Sequence, residues 1–169
     1  MTRGNDDFSK WLRDRPFQDN RSSGEPSVTD ASAIWDEWVT AGREIPDSEE
    51  RLIRILEDEV DPVIRSSAAM ALGFIGGDDS FEPLVRALQN DIPIVAMEAA
   101  ASLGRLRNPE AIESLGDALK NPDSNVRANA CIALGSLGGE KARTHLKSAQ
   151  QDEDPFVRSA ADQALSTIK

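Results

Sequence analysis

The 169-residue chain contains no tyrosine, one cysteine and one histidine, and only 5% of it is aromatic. A lone cysteine, Cys131, cannot close an internal disulfide, which excludes a disulfide-stapled scaffold. One histidine and one cysteine offer no paired ligand spacing for a metal, and they are sparse material for nucleophilic or acid–base catalysis. No Gly-x-Ser-x-Gly elbow, phosphate loop or dinucleotide fingerprint occurs. No stretch approaches the roughly 18 apolar residues of a membrane span, and the start, MTRGNDD, lacks the apolar run of a signal peptide. The expectation is a cytoplasmic protein, monomeric by default, with no catalytic residue, metal or cofactor. With so few aromatics its core must consist of small and aliphatic side chains, a composition that suits packed helices.

Positive charge is also short. Thirty acidic residues face 19 basic ones, for a formal charge of -11 and a pI near 4.5. Such a surface repels phosphate backbones and anionic membranes, so nucleic-acid and membrane partners are disfavoured. The imbalance is spread out, at net -7 over residues 1–60 and net -4 over 61–169, and no basic half is hidden in the total. The surplus of 14 Arg over 5 Lys, beside many acids, also fits a salt-adapted or high-GC habitat.

What the chain does have is a repeat. PVIRSSAAMALGFIG from Pro62, PIVAMEAAASLGRLR from Pro93, SNVRANACIALGSLG from Ser124 and PFVRSAADQALSTIK from Pro155 align without gaps at an offset of 31. Five columns are small or aliphatic throughout: Ile64/Val95/Val126/Val157, Ala68/Ala99/Ala130/Ala161, Ala71/Ser102/Ala133/Ala164, Leu72/Leu103/Leu134/Leu165 and Ile75/Leu106/Leu137/Ile168. Their spacing of i, i+4, i+7, i+8 and i+11 is one stripe of an α-helix. A shorter periodic segment precedes each one, with the column Ile53/Leu84/Leu115/Leu146 and then Leu88 and Leu119. Each unit is therefore expected to be a helical hairpin.

The punctuation agrees. Gly76-Gly77 and Gly138-Gly139 suit the left-handed conformation after a helix, and Asn108-Pro109 is expected to do the same in the second unit. Asp61/Arg65, Asp123/Arg127 and Asp154/Arg158 recur where the second helices start, predicting an Asp cap with an Arg one turn on. In the second unit Asp91 is one residue out of step and Ala96 replaces the Arg, so the polar stack should be interrupted there.

The run Asp, Val-Arg, Ala-Ala, Ala-Leu-Gly followed by a Gly-rich turn and a shorter helix resembles the short HEAT repeats first associated with bilin lyases, the PBS-lyase HEAT-like or EZ-type repeats. The resemblance covers about residues 47–169. It implies an all-α fold, a right-handed α-α superhelix of four helical hairpins with the second helices on the concave side. Of the enzymes built on such units, deoxyhypusine hydroxylases carry repeated His-Glu pairs, and this chain has no His-Glu dipeptide. HEAT-like alkylpurine DNA glycosylases use a basic concave face, against which the charge of -11 argues.

Terminal units of a solenoid should be polar on their outer side. In the last unit Asp162 stands in the column of Ala69, Ala100 and Cys131, Gln150 in that of Leu88 and Leu119, Arg143 in that of Phe81 and Ile112, and Ser166 in that of Gly73, Gly104 and Gly135. These predict a carboxy-terminal cap on a complete protein. At the other end residues 31–46, with Ile34, Trp35, Trp38 and Val39 on one face, predict a cap helix or degenerate repeat. Residues 1–30 are polar and predict a flexible tail. Within it Phe8, Trp11 and Leu12 at i, i+3, i+4, with Phe17 beyond Pro16, form a short amphipathic motif that could dock as a helix on another protein or on this one.

Opposite the core stripe of the second helices lie Ser66/Met97/Ala128/Ser159 and Met70/Ala101/Ile132/Gln163, flanked by Ser67/Glu98/Asn129/Ala160. The expected binding lane comprises Ser66, Met70, Met97, Glu98, Ala101, Ala128, Asn129 and Ile132, apolar in the middle and polar at its ends, suited to a partner helix or extended peptide. The functional expectation is a non-catalytic scaffold or adaptor that binds a protein segment. The alternative is a bilin lyase-like or chaperone subunit acting on phycobiliproteins.

Overall fold

Helices occur wherever the 31-residue offset places them. In a computed structural model, which describes residues 48–168, α2 (Pro62–Ile75), α4 (Pro93–Leu106), α6 (Ser124–Leu137) and α8 (Pro155–Thr167) begin 31 residues apart. Each follows a shorter partner: α1 (Ser48–Asp58), α3 (Phe81–Asn90, entered through a 3-10 turn at Asp78–Ser80), α5 (Ala111–Ala118) and α7 (Gly139–Ala149). No strand occurs among the described residues, and the hairpins stack in chain order as an all-α solenoid. The expected tail at residues 1–30 and cap helix at 31–46 lie outside the described residues.

The core follows the repeat columns. Ala68, Ala99, Ala130 and Ala161 are fully buried, as are Leu72, Leu103 and Leu134. From the shorter helices Leu84, Leu115 and Leu146 meet them, each also fully buried. Unit one departs from the column: Leu52, Ile55 and Leu56 point inward and Ile53 is only partly buried. The inward positions of α1 are thus shifted by one residue relative to those of α3, where Leu84, Ala87 and Leu88 are buried.

Second helices lie against each other along their length, whereas α1, α3, α5 and α7 touch their neighbours only locally. A glycine column permits the tight side. A Cβ on Gly73 would meet Ser102 at 2.5 Å, one on Gly104 would lie 2.9 Å from the Cα of Ala133, and one on Gly135 would lie 2.8 Å from the Cβ of Ala164. A stack closer on one side than the other bends towards that side, so the second helices form its inner wall.

Asp61, Asp123 and Asp154 cap α2, α6 and α8 as expected, accepting the backbone N–H groups of Val63, Asn125 and Phe156 at 2.8 Å. The arginines do something other than pair four residues back. Arg65 Nη1 donates to the carbonyls of Glu59 and Val60, while its Nε and Nη2 grip Asp91 of the next unit at 2.9 and 2.5 Å. Arg127 repeats the arrangement, bonding the carbonyls of Asn121 and Pro122 and forking onto Asp152 at 2.9 and 2.8 Å. The guanidinium reaches forward because the cap already occupies the near carboxylate, and because a two-toothed fork matches a carboxylate in line with it. Arg158 makes the same two carbonyl bonds, to Asp152 and Glu153. At Ala96 the clamp is missing, and α4 starts at Ile92 without a side-chain cap.

Gly76 ends α2 with φ 72°, and Gly138 and Gly139 also have positive φ, as the sequence requires. In unit two the left-handed residue is Arg107 (φ 54°), not Asn108. Asn108 precedes Pro109, which pushes it out of the helical regions, and its side chain instead accepts the N–H of Glu110 at 3.0 Å. At the last unit the polar replacements find partners: Gln150 Nε2 donates to Asp162 Oδ1 at 2.7 Å and Arg143 to the Ile168 carbonyl at 3.2 Å.

Two substitutions test this geometry. Gly104→Ala should lower the urea midpoint: alanine is better than glycine by about 1 kcal/mol in a helix, but overpacking against the Ala133 backbone costs about 1–3 kcal/mol. Arg107→Gly should raise the midpoint by the equivalent of about 1 kcal/mol, because it relieves a left-handed non-glycine residue.

Candidate functional site

The inner wall consists of the solvent-facing sides of α2, α4, α6 and α8. Of the residues expected on it, Ile132 is 51% exposed, and Met70, Met97, Glu98, Ala101 and Asn129 are partly exposed. Ser66 and Ala128 are not: both are buried, Ser66 donating to the Val63 carbonyl at 2.9 Å. In their column Met97 is partly exposed by its length and Ser159, in the last helix, is exposed.

The open stripe is rotated from the expected one and runs through residues 94, 98, 101 and 105 and their equivalents, except that Ser67 and Ala160, in the column of Glu98, are buried. That brings in Phe74 (40% exposed) and Ile94 (39%), which the column reading left out, together with Arg105. Their spacing of i, i+4, i+7 and i+11 from position 63 was available as a signal, but it competes with the core stripe for the same aliphatic residue types. Arg105 lies 4.7 Å from the Phe74 ring centroid and donates to Ser102 Oγ at 3.1 Å, a cation–π contact that holds the edge of the wall. At the other end of the stack Phe156 is 57% exposed. The amino-terminal motif, Phe8, Trp11, Leu12 and Phe17, lies outside the described residues.

Glu98 sits in the middle of this wall. Burial pushes its carboxyl pKa above the ordinary range, against a smaller opposing pull from Arg105. Two carboxylates at the unit junctions are held low: Arg127 keeps Asp152 below its usual range through its hydrogen bonds, and at Asp91 burial, the largest single effect, is overcome only by the Arg65 hydrogen bonds, the Ile92 N–H and the Arg65 charge together. Glu98 differs because no side chain among the described residues donates to it.

The remaining chemistry-bearing residues have structural surroundings. Cys131 is fully buried in the alanine column, and burial pushes its thiol pKa to about 12. A thiol in that state is a packing group and not a nucleophile. His145 packs its ring over Gly116, with Nε2 3.6 Å from Glu113 Oε2. Among the described residues no three His, Cys, Asp or Glu side chains are grouped to hold a metal, and no helix is long and apolar enough to cross a membrane. Two shallow depressions lie away from the wall, one around Pro122, Ser124 and Pro155, the other around Leu119, His145 and Ser148.

A carboxyl whose pKa is raised by folding lowers stability only once it ionises, so its cost is absent below its unfolded value of 4.5 and grows as the pH rises through the folded value. Glu98→Gln should therefore raise the melting temperature relative to the parent at about pH 7.5 and leave it nearly unchanged at about pH 4.

Residues 33–101 and 92–166 match the family of HEAT repeats. No curated protein matches the sequence. Among solved structures the chain is similar to one in the complex of CpcE and CpcF of phycocyanin lyase from Nostoc sp. PCC7120, with TM-score 0.70 and 23% identity, covering 92% of this chain and 67% of that one. Human deoxyhypusine hydroxylase has TM-score 0.64 and 24% identity, over 81% of this chain and 54% of its own, so the chain spans about half the length of that enzyme. An engineered protein has TM-score 0.56 and 22% identity, covering 97% of this chain and 78% of its own. At these identities the likeness is one of fold. The family match extends over most of the sequence, and the chain belongs to the HEAT repeats.

Proposed function

We propose that the protein is a non-catalytic interaction scaffold that binds a helix or extended segment of another protein along the inner wall of α2, α4 and α6. The observation that carries this reading is the set of exposed or partly exposed large apolar side chains on one face, Met70, Ile94, Met97 and Ile132. Curvature requires only small residues where second helices crowd, and these side chains are large. Methionines adapt to varied partner surfaces, while Asn129 and Glu98 supply polar anchors. In this reading Ser66 and Ala128 fix the spacing of the wall and Ala101 leaves room for the bound segment. The chain acts as a cytoplasmic monomer, and its acidity disfavours nucleic acid as a partner.

A second reading draws on the likeness to the phycocyanin lyase chain: a PBS-lyase HEAT-like subunit that acts on, or chaperones, phycobiliproteins. Co-expression with bilin and phycobiliprotein subunits, scored by visible absorbance of the product, separates it from the first.

Met97→Asp combined with Ile132→Asp should abolish recovery of partner protein in affinity capture from the native host, while helicity and cooperative melting persist. Recovery equal to that of the parent would sink the inner-wall reading.

A further inference from the structure

No hydrogen bond or ion pair reaches the half-buried Glu98 carboxyl from any described residue, and only the charge of Arg105 acts on it from a distance. Arg105, the cation nearest in sequence, is engaged with Ser102 and the Phe74 ring. Glu98 shares the wall with Ile94, Met97 and Ala101 on its own helix, Met70 on α2 and Ile132 on α6. A carboxylate held among apolar groups is stabilised by a cation that arrives with its own apolar neighbours.

A segment of that chemistry is present in this chain. FSKWLRDRPF, residues 8–17, has three basic residues and one acid, in a chain whose formal charge is -11. As a helix it places Phe8, Trp11, Leu12 and Arg15 at i, i+3, i+4 and i+7, an apolar stripe ending in a cation. Thirty residues separate Phe17 from Ser48. A linker of that length spans about 30 Å even as flexible coil, and three helices about 10 Å apart present a wall of similar width.

Building on the proposed binding face, we infer that residues 8–17 are its resident occupant in cis, with Phe8, Trp11 and Leu12 on Met70, Met97 and Ile132, and Arg15 paired with Glu98. An external partner then competes with the chain's own tail, which makes the scaffold self-masking.

The experiment uses the full-length chain. A nitroxide is placed on Ser136→Cys, exposed on α6, or on Gln89→Cys, exposed on the outer helix α3; the native Cys131 is fully buried and does not take the label. The Trp11 indole N–H resonance, identified by its loss in Trp11→Phe, should lose most of its intensity with the label at 136 and keep it with the label at 89. Glu98→Arg should restore the signal, and adding Arg15→Glu should remove it again. Full intensity with the label at 136, equal loss from both labels, or indifference to Glu98→Arg overturns the proposal. Loss transmitted only between a labelled and a separate isotope-enriched chain assigns the docking to a second copy and overturns it as well. Any of these leaves the wall itself to be judged by the Met97 and Ile132 variants, so the two ideas fail separately.

Discussion

The closeness of successive second helices decides most of what this molecule is. Gly73, Gly104 and Gly135 each let the following second helix come within contact distance of helix backbone, against Ser102, Ala133 and Ala164. Because the first helices meet only locally, that one-sided closeness is the source of the bend. The near absence of aromatic residues follows from it: a column of alanines and a column of leucines fill the narrow space, and a larger ring would push the wall apart. In the last described unit Ser166 takes the place of the glycine, and its hydroxyl donates back to the Gln163 carbonyl.

Polar contacts add direction to a seam that is otherwise only close packing. The Arg65–Asp91 fork joins units one and two, and the Arg127–Asp152 fork joins units three and four. Between units two and three the position belongs to Ala96, fully buried, and the junction holds by apolar contact alone. Met97 and Glu98 follow Ala96 directly on α4, and Asn129 and Ile132 face them from α6. The middle of the inner wall thus coincides with the one junction in the described stack that lacks a clamp. In a repeat array each interface contributes nearly independently, so this junction rests on its own packing while the other two are held by their clamps.

The solenoid was legible because three signals agreed: the 31-residue offset, the i, i+4, i+7, i+8, i+11 stripe, and the Asp caps. Each is local, and the helices depend mainly on local facts. What the sequence concealed were contacts between units. The arginines looked like partners of the Asp four residues back, since a one-dimensional reading finds the near carboxylate first. The fold instead brings Asp91 and Asp152 closer from the next turn. Ser66 and Ala128 were mistaken for surface on the same ground, because a helical wheel gives the angle of a residue but not how near the neighbouring helix stands. Ile94 and Phe74 illustrate the converse: aliphatic and aromatic residues read as core, and only the assembled helices show that these two keep about two fifths of their surface exposed, at 39% and 40%. In unit one Leu52, Ile55 and Leu56 are buried where the column points to Ile53, a one-residue rotation of α1 that column alignment does not register.

A stack of this kind can carry very different chemistry, because the fold is specified by the seam and the core and leaves the inner wall free. What is written on that wall must therefore carry the functional argument. Catalysis would need titratable groups that converge, yet the thiol is entombed in the alanine column, the imidazole covers a glycine on a shorter helix, and the carboxylates near the unit junctions are committed to arginines or helix caps. The residues left on the wall are thioethers, branched aliphatics, an amide, the Glu98 carboxyl and, at its edge, a phenyl ring with Arg105 held against it. Such a set has little bond-making capacity but much capacity for contact, and the Glu98 carboxyl among apolar groups gives that contact a preferred sign.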